Sequence, residues 1–278
     1  MTDSVLTSDI NLGFIGAGNM TRSIISGLVK HGYPSTLIHA TNPSQGKLDA
    51  LQHDFAIEVS NDNAVAAQAA DVIVLSVKPQ LMEDVCGALS HLDLANKLII
   101  TIAAGIPAAR YQQYFKQPIT LIRTMPNTPT QIGYGMTGIY AEDNISAEHK
   151  AICETLMQSG GKTVWVDTEE GLNQVIALSG SSPAYFFLFI ESMIASGIKM
   201  GMAEDKARLL AEQAALGAAQ MVIQNQQLSL ETLRTNVMSK GGTTAKAVET
   251  FQQGDLAGLV DKAMNNCVAR AQEMAKMF

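Results

Sequence analysis

Two glycines one residue apart, Gly16 and Gly18, stand between a short apolar run (Asn11 to Ile15) and a stretch with helical periodicity (Met20 to Lys30). In that setting Gly16 permits a tight turn. Gly18 removes a side chain where a pyrophosphate would approach the backbone, and the helix start then supplies free N–H groups and a partial positive charge. The third glycine of the usual fingerprint is replaced by Thr21, and Gly27, further along the same helix, is the candidate for close helix–sheet packing. A glycine pair alone is a weak signal, and its strand–turn–helix setting is what gives it weight. At the end of the second apolar run, Leu37 to Ala40, an acid would bind a ribose 2′-hydroxyl and repel a 2′-phosphate. The chain has His39-Ala40-Thr41-Asn42-Pro43-Ser44 there, with Lys47 close by, so NADP(H) is favoured over NAD(H). Two further loops, Val77-Lys78-Pro79-Gln80 and Ala103-Ala104-Gly105-Ile106-Pro107, follow strand-like runs where cofactor contacts belong, although plain strand-to-helix turns read the same way.

A second constellation lies far along the chain. Ser239-Lys240-Gly241-Gly242-Thr243-Thr244 precedes a helical stretch, and two glycines with two hydroxyls at a helix start make a cradle for a carboxylate. A simple glycine turn with a threonine cap reads the same locally. Ser179-Gly180-Ser181-Ser182-Pro183-Ala184-Tyr185 is another small-residue turn, which either brings backbone near a ligand or caps a helix. Phe186, Phe187 and Phe189 after it read as core or subunit contact.

The elements that must hold these residues follow from the hydrophobic pattern. Asp71 to Val77, Lys97 to Ile102 and Ile119 to Thr124 are nearly all apolar, as strands buried on both faces should be. Strands alternating with helical stretches predict an α/β fold with a parallel, doubly wound Rossmann-type sheet. Near residue 165 the strand-like runs give way to helical segments: Pro183 to Met200, Ala203 to Gln224, Ser229 to Val237, Ala245 to Gln252 and Asp255 to Met277, with Ser182, Ser229 and Asp255 as caps. This predicts a dinucleotide-binding domain over 1–165 and an all-α domain over 166–278.

Composition narrows the function further. With 278 residues, 47% of them apolar and 16% charged, the chain can bury two cores. A net charge of −7 offers no basic footprint for nucleic acid. Cys86, Cys153 and Cys267 form no metal or disulfide spacing, so no metal is expected and reduced thiols of a cytoplasmic protein fit. The first ten residues lack the pattern of a signal peptide. The run Ala184 to Ile198 is too short for a membrane span and reads as a buried helix.

None of the five histidines (His31, His39, His53, His91, His149) lies in the helical half, where a hydroxyacid dehydrogenase would want an acid. Dehydrogenases of β-hydroxyacids and of 6-phosphogluconate place a lysine early on the first long interdomain helix, and 183–198 has none. A cyclic imine, which arrives partly as the iminium, needs little proton donation and fits better. A reductase for another imine or a keto acid such as ketopantoate, and a non-catalytic NADP-binding redox sensor, stand as alternatives. The sensor would have no need of the cradle at Gly241 to Thr244.

GFIGAGNM, SVKPQ, IAAGI, RTMPNTP (Arg123 to Pro129), SGSSPAY and SKGGTT occur in the order and approximate spacing of pyrroline-5-carboxylate reductases, which the chain resembles over nearly its whole length. The resemblance implies NAD(P)H-dependent reduction of 1-pyrroline-5-carboxylate to L-proline, with NADPH the expected cofactor and NADH an alternative. It implies a helical C-terminal domain that interlocks in a homodimer, often assembled further into a decamer. Carried over by position, Ala17, Asn19, Met20, Asn42, Ser44, Asn63, Lys78 and Ala104 would touch the cofactor, beside Gly16, Gly18, Val77, Pro79 and Gly105 of the same loops. Asn236, Ser239, Gly241, Gly242, Thr243 and Thr244 would line the substrate loop, with Thr244 as the catalytic hydroxyl at the ring nitrogen. Glu169, in competition with Glu170, would be a substrate-side acid. Lys240 departs from the family's Ser-Pro-Gly-Gly-Thr-Thr, and either leaves the loop less pre-organised or helps by adding a cation near an anionic substrate.

Overall fold

The computed structural model describes residues 9–277. The stretch read as lacking a signal peptide lies almost wholly outside them. The chain divides into two compact units. The first runs through Ser181 and resumes at Cys267, and the second is Ser182–Asn266.

The first unit contains β1 (Leu12–Ile15), α1 (Asn19–Lys30), β2 (Ile38–Thr41), α2 (Gln45–Phe55), β3 (Glu58–Ser60), α3 (Asn63–Ala69), β4 (Val72–Leu75) and α4 (Met82–Leu89). It continues with β5 (Leu98–Thr101), α5 (Ala108–Phe115), β6 (Thr120–Met125), β7 (Gly135–Ala141), α6 (Ala147–Gln158), β8 (Gly161–Trp165) and α7 (Gly171–Val175). The strands form one sheet in the order β3-β2-β1-β4-β5-β6-β7-β8. Among the described residues, only the β6–β7 pair is antiparallel. Strands β3, β7 and β8 add to the five expected, and the last of them ends at Trp165, where the sequence changes character. The division into compact units comes later, at Ser181.

Alternate residues of the central strands serve two cores, one per sheet face, because successive side chains of a strand point to opposite sides. Leu12, Phe14, Val72, Val74, Leu98 and Ile100 pack with Ile24, Leu28, Leu48 and Leu156 on one face. Ile15, Ile73, Leu75 and Ile99 pack with Met82, Leu89, Tyr111 and Phe115 on the other. Cys86 and Cys153 are buried, one in each core, and burial pushes the Cys86 thiol up to about 12, which makes it a poor nucleophile. Gly27 permits a close approach, but not to the sheet: a Cβ there would strike the carbonyl of Ser159, in the turn after α6.

A π-helical turn, Ile176–Gly180, follows α7 and leads straight into α8 (Ser182–Lys199) of the second unit. Ser182 is therefore already helical rather than the cap expected. The second unit continues with α9 (Glu204–Gln224), α10 (Leu230–Asn236) and α11 (Thr243–Gln253). α12 (Leu256–Met277) begins in the second unit and ends in the first. Ser229 caps α10 as expected, accepting the Thr232 N–H. Asp255 accepts the Gly258 N–H at the start of α12.

α8 corrects the expectation of a buried helix. Only Gly197 of it is buried, and Phe186 and Phe187 are about two-thirds exposed (67% and 64%). Its packing within the second unit uses small residues and one aromatic pair. Gly197 lies against Ala207 of α9, and Phe189 meets Phe251 of α11 with ring centroids 5.8 Å apart. Leu209, Leu210 and Leu259 are also exposed. An apolar surface of this extent marks an interaction face rather than a solvated one. The length expectation is corrected too. With α7 and the π turn joined to it, Gly171–Lys199 is long and apolar enough to cross a bilayer by length and composition.

Candidate active site

Strands β1, β2, β4, β5 and β6 all end at the same sheet edge, and the strand order reverses between β1 and β4, where an open α/β sheet binds its ligand. The glycine turn sits there. Gly16 has φ +109°, its N–H donates to the Thr41 carbonyl at 2.9 Å, and a Cβ would lie 2.8 Å from the Ser76 carbonyl oxygen. Gly18 is different: it precedes α1 in extended conformation, no side chain caps the helix, and a Cβ there would meet nothing within 4 Å. The first turn of α1 thus faces open space with its N–H groups uncapped, as a diphosphate requires. Thr21 supplies an anchor where the fingerprint has glycine, its buried hydroxyl donating to the Gly16 carbonyl at 2.7 Å.

The end of β2 joins this turn. The Asn42 side-chain oxygen accepts the Ala17 N–H at 3.3 Å, and Asn61 donates to the Asn42 carbonyl at 3.0 Å. Asn63, first residue of α3, accepts the Thr41 hydroxyl at 2.6 Å. Ser44 precedes α2 without capping it, so its hydroxyl and the first N–H groups of α2 stand beside Lys47 with no carboxylate at the strand end. Asn19 is exposed and Met20 is half-buried against the core. Past β4, Val77 packs on the second core and Lys78 is exposed before the short turn Pro79–Leu81. Past β5, Ala104 is half-buried and Gly105 (φ +78°) leaves room for Met274 of α12, to which a Cβ would come within 3.0 Å. All thirteen expected cofactor residues therefore lie at or beside the same sheet edge.

The substrate-loop residues belong to the second unit. Asn236 ends α10. The Gly242 N–H donates to the Ser239 carbonyl at 2.9 Å, and Gly241 takes the left-handed conformation (φ +72°). Gly242 precedes α11 with no side-chain cap, so Thr243 and Thr244 are the first two helical residues and their N–H groups are uncapped. The cap is thus glycine, not the threonine of the plain reading, and a carboxylate can take these amides.

Glu169 and Glu170 part company. Glu169 Oε1 accepts the Ala108 N–H at 2.6 Å, at the start of α5, and Arg123 Nη1 at 2.7 Å. Glu170 accepts from Gln272 of α12 at 2.6 Å, and its hydrogen bonds to Gln272 and Asn173 hold its carboxyl below the usual range. Both line a cavity of about 70 Å³ with Gly105, Pro107, Arg123, Asn173 and Ala275. Arg123 was named in the sequence only as part of a motif. It is 8% exposed, and its Nε has no partner among the described residues. Glu169→Ala would leave this guanidinium without its counter-charge. Because Glu169 is one-third exposed (33%), the expected cost is about 2–3 kcal/mol, below that of breaking a fully buried pair. Thermal unfolding should show Tm lower by about 5–10 °C; a change under about 2 °C would mean that Arg123 is satisfied elsewhere.

Comparisons with known proteins agree with this geometry. Residues 169–274 match the model of pyrroline-5-carboxylate reductase dimerisation, and residues 11–105 that of NADP oxidoreductase, coenzyme F420-dependent. The pyrroline-5-carboxylate reductase of Vibrio alginolyticus is 52% identical over 267 residues, covering 96% of this chain and 98% of that protein. The chain belongs to the pyrroline-5-carboxylate reductase family. Among solved structures, the pyrroline-5-carboxylate reductase of Coxiella burnetii superposes with a TM-score of 0.89 at 36% identity, covering 96% of this chain and 98% of that one. The pyrroline carboxylate reductase of Plasmodium falciparum, solved with NADP bound, has a TM-score of 0.86 at 25% identity, covering 97% and 99%. Family membership spans both the glycine turn and the Gly241–Thr244 loop. The side chains that sequence reasoning passed over, Arg123 and Asn127, lie in the RTMPNTP motif just before and just after the C-terminal end of β6. That position at the sheet edge was the signal available.

Proposed function

We propose that this chain reduces 1-pyrroline-5-carboxylate to L-proline with NADPH. The observation that carries the reading is the match, over 96% of the chain, to a relative named for that activity. The geometry supports it residue by residue. The uncapped α1 start behind Gly16 and Gly18 takes the diphosphate, with Asn42 holding the turn. Ser44, Lys47 and the uncapped start of α2 suit a 2′-phosphate better than a bare ribose, hence NADPH over NADH. Val77, Lys78, Pro79, Ala104 and Gly105 border the nicotinamide half, where the bound cofactor supplies a hydride. Amides of Thr243 and Thr244 take the substrate carboxylate, with Asn236, Ser239, Gly241 and Gly242 shaping the loop. Thr244 orients the ring nitrogen, and Glu169, anchored by Arg123, is the acid on the substrate side. Catalysis is then chiefly positioning of an already activated imine.

The division of labour is a dinucleotide-binding part ending near 165 and a helical part for substrate and dimerisation. The exposed faces of α8 and α9 suit a second copy of the chain, as the matched dimerisation model supports. We read the apolar length of Gly171–Lys199 in the same way, as subunit contact in a cytoplasmic homodimer open to decamer assembly. The test is NADPH oxidation by purified protein with and without racemic 1-pyrroline-5-carboxylate, with NADH in parallel. Substrate-dependent oxidation, faster with NADPH, is expected. No turnover with either cofactor by folded, NADPH-binding protein would overturn the reading.

A further inference from the structure

The RTMPNTP motif is not absorbed by the cofactor or substrate loops, yet most of its side chains reach into neighbouring segments. Arg123 pairs with Glu169, and the Thr124 hydroxyl donates to the Thr101 carbonyl at 3.1 Å. Met125 lies against Gly180, whose Cβ, were it present, would be 3.0 Å from Met125 Cε. Asn127, 7% exposed, donates from Nδ2 to the Ser179 carbonyl at 3.0 Å and accepts the Met136 N–H on Oδ1 at 2.9 Å. These two bonds fix the amide's orientation, nitrogen toward Ser179 and oxygen toward Met136, and a carboxylate could satisfy only the second.

Ser179 belongs to the π-helical turn, closed by the Ser181 N–H on the Ile176 carbonyl at 2.8 Å. An inserted π turn disturbs the regular i→i−4 ladder, is rare, and is frequently found at functional sites. This one is anchored by a side chain from the C-terminal end of β6, on the β4–β5–β6 side of the sheet where the nicotinamide half belongs. It is also the last structure before the chain passes into the second unit.

We propose that Asn127 is a positioning residue for hydride transfer: its carboxamide locks the π turn to the end of β6 and so fixes the backbone of Ser179 to Ser181 beside the reacting groups. Asn127 does not itself touch substrate or cofactor. The inference rests on the reductase reading above. Asn127→Asp keeps the acceptor for Met136 and loses the donor to Ser179. Asn127→Ser removes the bond to the Ser179 carbonyl without adding a charge and leaves Gly180 and Met125 as they are.

Both variants should be assayed for kcat and KM with 1-pyrroline-5-carboxylate, for NADPH Kd by fluorescence and for Tm, with kcat normalised to NADPH-binding protein. A fall in kcat of about 10–100-fold is expected, the scale of a displacement near 1 Å, with NADPH Kd within about twofold. A merely structural role would lower the folded fraction and leave normalised kcat unchanged, and that result overturns the inference. If Asn127→Asp does not fold, Asn127→Ser decides alone: wild-type kcat overturns the inference and a reduced kcat with intact NADPH binding supports it. No turnover by the unmodified protein would fell the function itself, and the inference with it. An active parent with unaffected variants fells the inference only.

Discussion

Gly18→Val is expected to abolish useful NADPH binding while leaving the fold in place. At Gly18 the backbone is extended (φ −80°, ψ 178°), which valine adopts without strain, and a Cβ would meet no protein atom within 4 Å. The structural cost is the poorer helix cap, about 1 kcal/mol, or about 2–4 °C in Tm. The new methyl groups would instead occupy the space above the uncapped N–H groups of α1, where the diphosphate approaches. A Kd increase of more than about 100-fold, about 2.7 kcal/mol or more, should appear in NADPH fluorescence titration. The same substitution at Gly16 would act on the fold, because φ is +109° and the Ser76 carbonyl is in the way. If Gly18→Val binds NADPH as the parent does, the diphosphate is not held at this helix.

Thr244→Ala is expected to lower kcat by about 100-fold with NADPH Kd unchanged, the scale of losing a positioned proton-handling group. Thr244 is the second residue of α11 and is exposed, and the cap is the preceding Gly242, so alanine costs the helix nothing. Its N–H remains to hold the carboxylate, and KM should therefore move less than kcat. Thr244→Ser, which keeps the hydroxyl, should recover most of the rate. Parent-like steady-state kinetics in the alanine variant would remove the hydroxyl from the mechanism.

The parts of the fold that were legible in the sequence were those whose environment is uniform. β1, β4 and β5 are buried on both faces and read as continuous apolar runs. β7 and β8 were hidden because each starts with glycine. Gly135 and Gly161 are paired in register, and a side chain on either would collide with a neighbouring backbone. The residue that reads as a strand breaker is the one that lets these strands meet. β8 also alternates half-buried with exposed positions, as an edge strand does.

The exposure of α8 was hidden for a different reason. Apolarity says that a face must be covered, not by what, and in one copy of the chain Phe186 and Phe187 stay uncovered. At the site, the turn and loop residues were legible because glycines and hydroxyls carry their own backbone chemistry. Arg123 and Glu169, 46 positions apart, and Asn127 and Ser179, 52 apart, were not, since nothing local announces a partner at that distance.

The first unit closes only with residues from the far end of the chain. Met274 lies against Gly105, Gln272 holds Glu170, and Cys267 sits 3.4 Å from the Ser181 hydroxyl. On the ribosome, the stretch from Ser182 to Asn266 must be made before these residues exist, a delay on the order of ten seconds. Until then the nascent sheet carries an uncovered Gly105 loop. The glycine turn can form early, but the finished first unit waits for the residues from Cys267 onward, and a nascent chain halted before Cys267 would lack that last piece.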